Sequence, residues 1–134
     1  MTQTGFQNII IVGASGAIGA ALVRTLLTAP STNRLFALSR KAIENADPRV
    51  TSIAIDLEDE ESLRQAAAAC QLEGGIDLII NAIGILHEGE HIRPEKGLRE
   101  LAPETMARLF HINTIGPVLV LKHFSPLLAR DRRA

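Results

Sequence analysis

Ile9-Ile10-Ile11-Val12-Gly13-Ala14-Ser15-Gly16-Ala17-Ile18-Gly19 carries the chain from an apolar run of strand type, through a tight turn of small residues, into a stretch compatible with a helix to about Thr28. This order sets a helix N-terminus at the end of a buried strand. A helix start presents unpaired backbone N–H groups and a partial positive charge, which together hold a phosphate. The three glycines divide the work. Gly13 is free to take a left-handed turn conformation, Gly16 lets backbone approach a pyrophosphate, and Gly19 lets the helix lie close on the strands. The spacing is G-x-x-G-x-x-G, not the G-x-G-x-x-G of the standard dinucleotide fingerprint, and a plain strand-to-helix turn uses the same residue types. No Lys-Ser or Lys-Thr pair follows Gly19, which argues against a Walker-type loop.

The remaining elements follow in order. The first strand, Asn8 to Val12, does not alternate, so both of its faces are expected to be covered, as in a parallel sheet. Ile18, Ala21, Leu22 and Leu26 form the expected buried stripe of the first helix, which Pro30 and Asn33 end. The second strand is Arg34 to Ser39. The connection after it holds at most one weak helical turn near Ala42 to Asn45. The third strand runs from about Val50 to Ile55. Asp59 is a good N-cap for a second helix, with Glu60 and Glu61 favourable in its first turn. Leu63, Ala66, Ala67 and Cys70 repeat along it, and Gly74 and Gly75 stop it. The fourth strand is Ile76 to Ile80, ending at Asn81. Ala82 to Leu101 is a polar loop of functional length. Pro103 opens a last helix extending to about Ala129. Right-handed crossovers then give one α/β domain over residues 1–134, a doubly wound parallel sheet of order 3-2-1-4 whose fourth strand is an open edge.

Composition narrows the functional classes. The 134 residues suit a single domain, and the formal net charge is −1 with acids and bases mixed along the chain. That argues against nucleic acid or an anionic membrane surface as the main partner. Arg130-Asp131-Arg132-Arg133 is the only basic tract and is read as a solvated end. One cysteine, Cys70, excludes an internal disulfide framework and fits a reducing, cytoplasmic setting; its helical spacing makes it a packing residue. Met1 to Gln7 is a short lead-in, with no basic residue before Arg24, so no signal peptide is expected. The uncharged span Phe6 to Val23 is too short and too interrupted for a membrane helix. His87, Glu88, Glu90 and His91 share the long loop and are taken as solvated, with no metal site expected. His111 and His123 are given no role.

Ligands of open parallel sheets sit at the carboxyl ends of the strands. Those ends carry Gly13, then Ser39-Arg40, Asp56-Leu57 and Asn81-Ala82-Ile83-Gly84, and the last helix adds Asn113-Thr114-Ile115-Gly116-Pro117. In this joint order the chain resembles the short-chain dehydrogenase/reductase family, particularly its C-factor-like members, over nearly its whole length. The resemblance implies a Rossmann-type fold and a nicotinamide dinucleotide. Gly13, Ser15, Gly16, Ile18 and Gly19 then match the pyrophosphate turn, with Ala17 where close relatives often carry another glycine. Asp56, followed by Leu57, matches the acid that bonds the adenine amino group. Asn81, Ala82 and Gly84 fall on the family's Asn-Asn-Ala-Gly motif, although Ala82 and Ile83 replace its middle pair. Asn113 matches the helix asparagine of the catalytic proton relay.

Two further expectations come from those positions. NAD-binding members place an acid after the second strand for the ribose 2′-hydroxyl. Ser39 and Arg40 stand there instead, and a guanidinium pairs with a 2′-phosphate that an acid would repel, so NADP(H) is favoured over NAD(H). Pro117 has no N–H to give the Asn113 carbonyl, so a kink is expected that leaves a polar backbone group facing the site. The alternative is that Pro117 starts a separate helix.

The chain contains no tyrosine, so the family's Tyr-x-x-x-Lys pair is absent, and Ser125 and the lysines do not match its catalytic serine and lysine. The chain is therefore expected to be the N-terminal part of a reductase that moves hydride between nicotinamide and a carbonyl or alcohol, inactive alone. The alternatives are a non-catalytic NADP(H)-binding or sensing module and a fragment of an extended or atypical member. Met106, Leu109, Phe110, Val120, Leu121, Phe124 and Leu128 give the last helix more apolar surface than half a sheet covers. With the open edge, this predicts a homo-oligomer or an association-prone chain.

Overall fold

The computed structural model describes residues 5–90 and 92–130. Four strands, β1 (Asn8–Val12), β2 (Arg34–Ser39), β3 (Val50–Ala54) and β4 (Leu78–Asn81), form one sheet of order β3-β2-β1-β4. All its pairings are parallel: Ile10 lies opposite Phe36 on one side and Ile79 on the other, and Leu38 lies opposite Ile53. The expected topology is therefore the observed one.

The non-alternating run of β1 is explained by what covers it. Ile9 and Ile11 are buried in a cluster with Val23, Leu35 and Ala37 beneath α1 (Ala17–Leu27). Ile10 and Val12 are buried in the opposite cluster with Phe36, Leu38, Leu63, Val120 and Phe124. The second layer is built by α2 (Glu60–Ala69) and α4 (Gly116–Phe124). Full exclusion from water on both faces makes Ile9, Ile10, Ile11 and Val12 of this central strand core positions. Asp59 caps α2, its carboxylate accepting the Glu61 N–H at 3.1 Å, and Cys70 is wholly buried at the helix end.

Several local expectations are corrected. Ile18 is 70% exposed, and the buried positions of α1 are Gly19 and Val23, with Leu22, Leu26 and Leu27 against the cluster. The stripe is rotated because Gly19, not Ile18, meets the β1 turn. No helical turn forms over residues 42–45, and the Ile43 N–H donates to Ser52 Oγ on β3 at 2.7 Å. β4 begins at Leu78. Just before it, Ile76 pairs with the incoming chain, donating to Leu127 O and accepting from Ala129 N–H, so the outer edge is open only beyond that bridge.

The last helix runs as α3 (Pro103–Phe110), a π turn (His111–Ile115) and α4, closing in a short 3-10 turn at Ser125–Leu127. The Gly116 N–H reaches back five residues to the His111 carbonyl. The helical ladder thus shifts register just ahead of Pro117, which cannot donate. Of the apolar residues on this last segment, Val120 and Phe124 are buried, whereas Met106, Phe110, Ile115, Val118 and Leu121 are exposed. Within the described residues no helix is long and apolar enough to cross a membrane. Met1 to Thr4, His91 and the Asp131-Arg132-Arg133 part of the basic tract lie outside the described residues.

Candidate nucleotide cleft

The four strand ends meet at a cleft built first by the turn after β1. Gly13 adopts φ +90° and turns its N–H, with that of Ala14, onto the Leu38 carbonyl at 2.8 and 3.0 Å. A Cβ on Gly13 would press on the Ala82–Ile83 backbone at 3.0 Å, and one on Gly19 would lie 1.9 Å from the Gly13 carbonyl oxygen. Gly16 is different: its added Cβ would meet only the Gly13 carbonyl, at 3.5 Å. Gly16 is also the N-cap of α1, with no side-chain cap and no acid in the first turn. The protein therefore supplies no anion of its own to that helix start, whose N–H groups and dipole are suited to hold one.

Gly13, Ser15, Gly16, Ser39, Arg40, Asp56, Leu57, Ala82 and Gly84 all line this cleft. Its cavity volume is about 170 Å³, below the ~300–1,000 Å³ of a site that engulfs a drug-sized ligand. A larger, open hollow of about 640 Å³ lies at the other end of the sheet, near Gly75 and Ala129. Position, not size, selects the site, because ligands of open parallel sheets bind at the carboxyl ends of the strands.

Four of the residues singled out in the sequence, Ile18, Gly19, Asn81 and Asn113, do not line the cleft. Gly19 is buried under Gly13, and Ile18 projects into solvent without lining the cleft. Asn81 accepts the Ile83 N–H through Oδ1 at 3.2 Å and lines the apolar groove between the open edge of β4 and α4. Ser39 lines the cleft but is 2% exposed, its hydroxyl donating to the Lys41 carbonyl at 2.5 Å. Asp56 spends one carboxylate oxygen on the Glu58 N–H at 2.9 Å, and its own N–H donates to Ser62 Oγ at 2.9 Å, which fixes the loop after β3. The Leu57 carbonyl accepts from His111 Nε2 at 3.0 Å. A Cβ on Gly116 would strike the Leu57 side chain at 2.7 Å, so α4 packs directly on this loop.

Asn113 stands exposed on the helix side and is tied to the cleft through Ile85. Its Oδ1 accepts the Ile85 N–H at 2.8 Å and its Nδ2 donates to the Ile85 carbonyl at 2.7 Å. Sequence reasoning missed the charged rim. Arg40 Nη1 meets Glu88 Oε1 at 2.8 Å, Arg108 Nε meets Glu88 Oε2 at 2.8 Å, and Arg108 Nη1 also pairs with Glu58. Hydrogen bonds from Arg108, and then from Arg40, hold the Glu88 carboxyl below its usual range. Its bonds to Glu88 and Glu58 push the Arg108 guanidinium upward. Nothing in the periodicity marks Glu88, which sits in a loop that looked solvated. No group of three or more His, Cys, Asp or Glu able to hold a metal occurs among the described residues.

Comparison with known proteins agrees with this geometry. Residues 7–134 match the family model described as short chain dehydrogenase. The chain is 30% identical over 119 residues to farnesol dehydrogenase of Aedes aegypti, a match covering 82% of this chain and 46% of that protein. Its fold superimposes on NADPH-bound carbonyl reductase from chicken fatty liver with a TM-score of 0.79 at 22% identity, covering 92% of this chain and 52% of the other. A short chain dehydrogenase from Burkholderia cenocepacia, in complex with NADP, gives 0.72 at 24% identity, covering 92% and 48%. The chain thus spans about half the length of these proteins.

Proposed function

Since this chain belongs to the short-chain dehydrogenase family of oxidoreductases, we propose that it is the cofactor-binding part of an enzyme transferring hydride between a nicotinamide and a small-molecule carbonyl or alcohol. NADP(H) is the preferred cofactor. The observation that carries this is Arg40, which stands at the end of β2 on the rim of the same cleft as Gly16 and Asp56, where a 2′-hydroxyl reader would be an acid. Gly13, Ser15 and Gly16 would take the pyrophosphate at the α1 start and Asp56 the adenine edge, while Asn113 belongs to the proton relay. Bound dinucleotide supplies the hydride chemistry; these residues bind and orient it. Two structural relatives carry NADP(H), which supports the same choice.

The 134 residues include no tyrosine to donate a proton to a carbonyl oxygen. Binding without turnover is therefore the behaviour expected of these 134 residues taken by themselves. The exposed apolar side chains Phe110, Val118 and Leu121 support self-association. The one cysteine, reduced and buried, suits a cytoplasmic setting. Fluorescence titration tests the central claim. NADPH should bind more tightly than NADH, and Arg40→Asp should abolish or reverse the difference; equal affinities in the parent chain would overturn it.

A further inference from the structure

Glu88 lies between two guanidiniums on the rim of the nucleotide cleft. Oε1 faces Arg40, while Oε2 takes both Nε and Nη2 of Arg108 at 2.8 Å. A carboxylate gripped by two cations is how a bound anion is held, and here the chain itself provides the anion. Glu88 is not a loose surface group. Its side chain is 30% exposed, and its loop is pinned by the Asn113 contact at Ile85 and by backbone bonds in both directions between Glu88 and Ile92.

We propose that Glu88 is an internal occupant of the anion site formed by Arg40 and Arg108, a specificity-setting residue that a nucleotide 2′-phosphate displaces from Arg40. The proposal rests on the assignment of Arg40 to the 2′-phosphate given above. Arg40 and Arg108 are matched by Glu58 and Glu88, and Asp56 lines the same cleft, so an arriving dianion meets no net positive charge until Glu88 withdraws. The network is also asymmetric. Arg108 gives Glu88 two donors and is 30% exposed, whereas Arg40 gives one and is 74% exposed. Solvent weakens the Arg40 end most, so Glu88 releases Arg40 and stays on Arg108. A neutral 2′-hydroxyl has no charge with which to displace a carboxylate and leaves the pair closed. Glu88 therefore opposes 2′-phosphorylated nucleotides and is indifferent to the others.

Calorimetric titration of the full 134-residue chain with adenosine 2′,5′-bisphosphate and with 5′-AMP tests this. Glu88→Gln should bind the bisphosphate about two- to fivefold more tightly, the size expected for one solvent-exposed ion pair, with 5′-AMP affinity unchanged. An unchanged or weaker bisphosphate affinity, with 5′-AMP unaffected and the bisphosphate preference still lost in Arg40→Met, overturns the role of Glu88 alone. Equal binding of the two nucleotides by the parent chain, unaltered by Arg40→Met, overturns the Arg40 assignment as well. Loss of 5′-AMP affinity in both Glu88→Gln and Glu88→Ala would make Glu88 a structural residue and overturn the proposal.

Discussion

Asn113 holds Ile85 by both halves of its carboxamide: Oδ1 accepts the Ile85 N–H and Nδ2 donates to the Ile85 carbonyl, at 2.8 and 2.7 Å. A side-chain amide here replaces the neighbouring strand that β4 leaves behind at Asn81, and it ties the long loop to the π turn. A net hydrogen bond of this kind is worth about 1 kcal/mol, and water competes at an exposed site. Asn113→Ala should therefore lower global stability by no more than about 1–2 kcal/mol while loosening the loop markedly. Native-state hydrogen exchange at the Ile85 amide reads this directly and should speed up by roughly tenfold. Unaltered protection at Ile85 would mean that the loop is held elsewhere.

Gly19 and Gly16 are expected to separate folding from binding. A methyl group on Gly19 would sit 1.9 Å from the Gly13 carbonyl oxygen, a backbone atom that cannot rotate away. Gly19→Ala must push α1 off the turn, at about 3 kcal/mol, near the upper end for overpacking. A methyl group on Gly16 makes only an ordinary 3.5 Å contact. Gly16→Ala should change stability by less than about 1 kcal/mol and weaken dinucleotide binding instead. Urea unfolding and NADPH titration of the two variants would show whether these effects divide as stated.

The topology and the strand ends were legible because they depend on local signals. A β-branched run stopping at Gly13 and an N-cap at Asp59 announce themselves within a few residues. The misplaced details depend on partners distant in sequence. Ile18 has the right character for a buried stripe, but the close approach of Gly19 to Gly13 rotates the helix. Val120 and Phe124 look like surplus apolar surface until Ile10, Leu38 and Leu63 are seen to receive them. The charged rim joins residues 40, 58, 88 and 108, and no spacing rule connects a loop glutamate to an arginine 48 positions earlier. Pro117 did signal a fault in the helix, but the form it takes, a π turn over His111–Ile115, depends on how α4 packs against Leu57.

Cys70 illustrates a thiol silenced by burial. Loss of solvent pushes its pKa up to about 12, so almost no thiolate exists at neutral pH. A disulfide reagent should label the native chain only as fast as the end of α2 opens, and labelling should become immediate in denaturant. Cys70→Ala should cost about 1 kcal/mol in lost packing, and Cys70→Ser roughly 1–3 kcal/mol because it buries a hydroxyl. Rapid modification of the folded protein would show that this corner of the core is open to solvent.

Acid should destabilise the fold through its solvent-facing ion pairs. Asp47 is lowered to about 2, chiefly by side-chain bonds from Arg49, and Glu61 to about 2, chiefly by bonds from Arg64 and then Gln65. Glu60 is lowered by Lys122 and His123, and Glu88 by Arg108 and Arg40. A carboxyl whose pKa falls on folding binds fewer protons in the native state than in the unfolded chain. Its stabilisation is complete above the ordinary carboxylate range and disappears as pH drops through the folded value. Chemical denaturation should therefore show stability falling from about pH 5 towards pH 2. Asp47→Asn should give a shallower decline, and added salt should reduce the slope, because these charges face water. Stability that stays constant between about pH 5 and pH 3 would show that Asp47, Glu60, Glu61 and Glu88 gain nothing from their partners on folding.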